Sequence, residues 1–165
     1  MCIRLAILLV TTLICPAPAQ TRPATQPADF RQLKDLLPDA IGGLRQTSAD
    51  GATTSAGGDA AGVTSASADY SGAEDRADAP QIRVQIVDYA AAPQIAAGIA
   101  AAHERKLDLR GHPAGEQYDP QSKSGELVIF VADRFIVTVS TTNVPAEQIV
   151  KLGESLPLDE LAALK

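Results

Sequence analysis

The chain has 165 residues, a net charge of −6, no tryptophan and only 4% aromatic residues. An acidic balance disfavours nucleic acid or an anionic membrane surface as the main partner, and so few aromatic rings leave no stacking platform for bases or sugars. Both cysteines, Cys2 and Cys15, fall in the first fifteen residues, so the rest has no disulfide, thiol nucleophile or thiolate metal site.

The N-terminus reads as an export signal. Arg4 precedes an apolar run from Leu5 to Ile14, and Ala17-Pro18-Ala19 matches the A-x-A cleavage pattern. The run is too short for a bilayer span, which needs about 20 residues. Cleavage after Ala19 predicts an exported protein, periplasmic or secreted, with lipid anchoring through Cys15 as the alternative. Removing 19 of the 165 residues leaves 146, and losing Arg4 takes the charge from −6 to −7. That length suits one domain with its own core.

Residues 20–27, polar and rich in proline, are expected as a mobile leader to a single domain over 28–165. Phe30, Leu33, Leu36 and Leu37 have helical spacing, with Asp29 as cap and Pro38 as stop. Gly42-Gly43 then leads to a possible strand through Leu44. The stretch "GATTSAGGDAAGVTSASADYSG" is short of large apolar residues, and a flexible loop is expected near 47–62. Its "GGDAAG" at 57–62 fits no phosphate-cradling motif. From Val63 the order alternates, predicting a strand with Ala66, Ala68 and Tyr70 facing inward. "QIRVQIVDY" alternates more clearly, with Ile82, Val84 and Ile86 on one face.

"AAPQIAAGIAAAHERK" predicts a helix beginning near Pro93, with Ile95, Ile99 and Ala102 on one side. Leu107 and Leu109 alternate before a Gly-Pro-Gly turn region around His112. "SGELVIFVADRFIVTVS" predicts a hairpin, its strands Leu127–Val131 and Phe135–Val139 flanking Ala132-Asp133-Arg134. A helix starting near Pro145 carries Ile149, Leu152 and Leu156, Pro157 breaks it, and a last turn carries Leu158, Leu161 and Leu164. The order predicts an α+β domain, an antiparallel β-sheet with helices packed on one face.

Chemistry-bearing motifs are sparse. His103 opens "HERKL", but Leu107 stands where a zinc motif needs its second histidine. His112 with Glu116 and Asp119 is the candidate metal set, and adding Ser124 to His112 and Asp119 makes a triad on paper. Asp69, Glu74, Asp75 and Asp78 lack the frame of a calcium loop. No cofactor motif is present, and no catalytic residue is assigned.

Two stretches, "LLPDAIGGL" and "SGELVIFVADRFIVTVS" with its "LPLDELAAL" close, resemble an uncharacterised family of small exported bacterial proteins. In that family similar segments flank a variable Gly/Ala-rich insertion, and the resemblance implies no activity. The element order also resembles PsbP/Mog1-like envelope domains, an analogy of fold alone. Two functions follow as expectations. The first is a non-catalytic envelope module binding a protein or small ligand through a patch exposing Tyr70, Tyr89 or Phe130. The second is a small hydrolase or metal-dependent enzyme centred on His112, whose partners must converge in a cleft.

Overall fold

The computed structural model describes residues 26–54, 62–72, 76, 78–102 and 106–164. The proposed export signal, His103, Glu74 and Asp75 lie outside them. Among the described residues the chain forms α1 (Phe30–Asp35), β1 (Ala40–Ile41), β2 (Leu44–Thr54), β3 (Val63–Ser71), β4 (Gln81–Asp88) and α2 (Pro93–Ala102). It continues as β5 (Leu107–Leu109), β6 (His112–Asp119), β7 (Ser124–Val131), β8 (Phe135–Thr142), α3 (Ala146–Glu154) and α4 (Leu158–Ala163). The strands make one eight-stranded antiparallel sheet in the order β1-β2-β3-β4-β8-β7-β6-β5, so the fold is α+β.

Two four-strand meanders therefore join through β4 and β8, and the chain must cross three strands to pass from β4 to β5. The crossing decides where α2 lies. The main core occupies one face, where Ile82, Val84, Ile129, Val137 and Val139 meet Leu33 of α1, Ile149 and Leu152 of α3, and Leu158 and Leu161 of α4. Alternate residues on the other face, Val128, Phe130 and Ile136, form a second cluster with Ala96 of α2. The expectation of helices on one face thus holds for α1, α3 and α4, and α2 covers the opposite one. Its buried side is Ala96, flanked by partly buried Ile99 and Ala100, instead of the predicted Ile95–Ile99–Ala102 face. Ile95 is 47% exposed.

Local signals hold at the helix ends. Asp29 accepts from the Arg31 N–H at 2.9 Å, and Pro145 and Pro157 stand immediately before α3 and α4. Gly42 and Gly43, with φ of +56° and +82°, make the turn between β1 and β2. Two other glycines let α3 lie directly on β7. A Cβ on Gly125 would strike Ile149, and one on Gly153 would strike Leu127 and come within 2.8 Å of Leu109.

The region expected as a loop from residue 47 is strand as far as Thr54. Its alanines, glycine and aspartate are poor β-formers, but β3 supplies a continuous antiparallel partner from Ser48↔Asp69 to Thr54↔Val63. Residues 55–61 lie outside the described set. The Gly-Pro-Gly turn reading is also corrected. Arg110 and Gly111 (φ +55° and +86°) turn the chain from β5 to β6, and Pro113 and Gly115 belong to β6. Gln26, the first described residue, falls within the segment expected as a leader, and its carbonyl and the Ala28 N–H are both bonded to later parts of the chain.

That anchorage centres on Asp88, whose exposure is 0%. Oδ2 accepts from the Ala28 N–H (2.7 Å) and Arg134 Nη2 (2.7 Å), and Oδ1 accepts from the Ala90 N–H (2.8 Å) and Arg134 Nε (2.8 Å). Arg134 Nη2 also donates to the Gln26 carbonyl at 3.3 Å, and its guanidinium lies 4.7 Å from the Phe135 ring centre. Removing one member of a buried, fully bonded pair strands the other without water. Asp88→Ala is expected to lower the unfolding free energy by about 3–5 kcal/mol in a urea titration.

Tyr70 is 1% exposed on the core face, and burial pushes its phenol above the ordinary tyrosine value. The folded state thus favours the neutral phenol, and its contribution is intact below pH ~10 and lost as pH rises through the folded value. Chemical denaturation between pH 8 and 11 should show an alkaline loss of stability that is smaller in Tyr70→Phe.

Candidate functional site

The end of the sheet where β7 turns into β8 carries a cleft of about 660 Å³. One wall is α2, through Pro93, Ala96, Ala97 and Ala100. The opposite wall comes from His112 and Pro113 at the start of β6 and Ala162 of α4. Phe130 and Ile136 supply apolar surface, and the turn Ala132-Asp133-Arg134 lies between the walls. The space exists because α2 presents alanines where longer side chains would fill the gap.

The turn is strained. Ala132 and Asp133 have φ of +53° and +52°, and the Arg134 N–H closes back onto the Val131 carbonyl at 3.2 Å. Left-handed backbone costs an L-residue about 1–2 kcal/mol. Asn-Gly would relieve that cost, and the chain uses Ala-Asp. Such strain persists only where surrounding structure imposes it, and it concentrates at ligand sites. Here β7, β8 and the Arg134–Asp88 bonds fix both ends of the turn.

His112 enters the cleft from the Arg110–Gly111 turn, which is steadied by the Gly111 N–H on Asp108 Oδ1 at 2.8 Å. Arg110 Nη2 donates to the Leu156 carbonyl, and Nη1 lies 3.7 Å from Asp159 Oδ2. The His112 side chain is 13% exposed, and Nε2 stands 3.6 Å from Asp159 Oδ1. That exceeds hydrogen-bond distance, and Nε2 has no other partner among the described residues.

The metal set read from the sequence does not assemble. Four and seven residues of extended strand separate His112 from Glu116 and Asp119, roughly 13 and 23 Å along β6. Asp119 closes the far turn, accepting from the Gln121 N–H (2.9 Å) and the Ser122 hydroxyl (2.8 Å). The Gln121 N–H, then the Ser122 hydroxyl, hold its carboxyl below the usual range. Ser124 is Asp119's register partner, so the paper triad is likewise spread along the sheet. Among the described residues no three His, Cys, Asp or Glu side chains gather to hold a metal. Sequence spacing missed Asp159, whose nearness to His112 arises only when α4 docks.

The expected aromatic patch is corrected as well. Tyr70 and Phe130 are buried at 1% and 8% exposure, because each faces one of the two hydrophobic clusters, and Tyr89 is partly buried against the second cluster. The open half of the second face is polar. There Arg83 donates to both oxygens of Asp69 at 2.6 and 3.0 Å, and the Ser48 hydroxyl adds a bond of 2.9 Å. The Arg83 hydrogen bonds hold the Asp69 carboxyl below the usual range. With its guanidinium so engaged, this is a surface ion pair, and the cleft is the stronger candidate.

No protein-family model, curated protein or solved structure matches the chain. Among the described residues no helix is long and apolar enough to cross a membrane.

Ala132→Asn, which tolerates left-handed backbone, should raise the unfolding free energy by up to about 1 kcal/mol in a urea titration.

Proposed function

We propose that this chain is a non-catalytic binding module of the bacterial envelope, holding a small, largely apolar ligand in the cleft between α2 and the β7–β8 turn. The observation that carries the reading is the cleft itself, a concave space lined by alanines, proline, Phe130 and Ile136 with His112 and Asp133 at its margins. Such a lining suits a ligand with an apolar body and one or two polar groups. A small ligand is favoured over a protein partner because, among the described residues, Ile95 is the exposed large apolar side chain. One exposed isoleucine does not make the contiguous patch that protein docking uses. The envelope assignment rests on the N-terminal sequence, from Arg4 through Ala19.

Titration with the neutral fluorescent probe N-phenyl-1-naphthylamine tests the cleft. One saturable site is expected, and Ala100→Phe, which fills the space beside Phe130, should weaken it at least tenfold while leaving the melting temperature within a few degrees. Unsaturable binding, or equal affinity in the variant, would count against the cleft as the site.

A further inference from the structure

The two edges of the sheet are treated differently. At one edge β5 is only three residues long, a common way to blunt an edge strand. At the other, β1 covers only Leu44 and Arg45 of β2, and the Gln46 N–H reaches the Asp39 carbonyl at 2.9 Å. A bulge at Thr47 follows, and from Ser48 to Thr54 β2 runs in unbroken register with β3 on one side and with no strand on the other among the described residues. Alternate residues there turn N–H and C=O groups away from β3. Ser48–Thr54 contains no proline, no lysine and a single charge, Asp50, so little in it blocks a further strand.

The geometry points to a second copy of this chain as the occupant, its β2 pairing antiparallel with the first about a twofold axis through Gly51. That axis places Asp50 opposite Ala52, Ser48 opposite Thr54 and Ala49 opposite Thr53. The opposed side chains are small, and no like charges face each other directly. The register also keeps core face beside core face, because Gly51 opposes the buried Ala66 of β3. On that face Phe30 lies over Gly51, so close that a Cβ there would come within 2.8 Å of its ring. Phe30 is half-buried at the sheet's rim, and the twofold brings two copies of it together over the paired glycines. An unrelated strand could use the same backbone groups but would leave Phe30 without its counterpart.

Sedimentation equilibrium of the full chain, from micromolar to several hundred micromolar, tests the pairing. A reversible monomer–dimer equilibrium is expected, tightened by salt because each copy carries −6. Ala52→Lys sets an ammonium opposite the other copy's Asp50 and should tighten the dimer by roughly three- to tenfold; Ala52→Asp should weaken it by a similar factor. Position 52 is exposed, so both variants should melt with the parent. A monomer throughout, or a dimer whose affinity does not move in opposite directions in the two variants, overturns the proposal.

Discussion

Four donors converge on the buried carboxylate of Asp88, and much of the architecture is tied through that point. The Ala28 N–H brings in the start of the domain, the Ala90 N–H fixes the exit from β4, and Arg134 binds the turn between β7 and β8. An ion removed from water needs all its bonding capacity used, and here both oxygens are bonded twice. The Tyr89 N–H adds a bond to the Arg134 carbonyl at 3.0 Å, so the two meanders are stitched at this end as well as along β4 and β8.

The same bonds shape the candidate site. Because Arg134 is committed to Asp88, the guanidinium stiffens the cleft's turn more than it offers itself to a ligand. Rigid ends allow Ala132 and Asp133 to remain left-handed, and the turn stays open between α2 and α4. On the far wall, packing of α4 sets Asp159 beside His112. The cleft's polar margin is thus assembled by tertiary contacts from several elements, while its apolar lining follows from α2's short side chains.

The strands illustrate how much was legible in the sequence. In β4, Ile82, Val84 and Ile86 alternate with Arg83 and Gln85, and the structure buries the first set alone. In β7 the run Leu127–Val131 is apolar at every position, which is the mark of a strand covered on both faces. That run was the available signal that a helix must sit on the second face. The identity of the helix was less clear, since an alanine-rich segment has no strong apolar stripe from which to read its buried side.

The sequence alone determined the local grammar. Strand periodicity, the prolines before α3 and α4, the Asp29 cap and the hairpin of Leu127–Val131 and Phe135–Val139 follow from short-range sterics and hydrogen bonding. Tertiary structure decided that 47–54 is strand, because β3 supplies backbone partners that outweigh weak propensity. It also joined Asp88 to Arg134, 46 residues apart, and His112 to Asp159, while carrying Glu116 and Asp119 away along β6. Nothing local encodes these outcomes, because they depend on which strands become neighbours and on which face each helix docks.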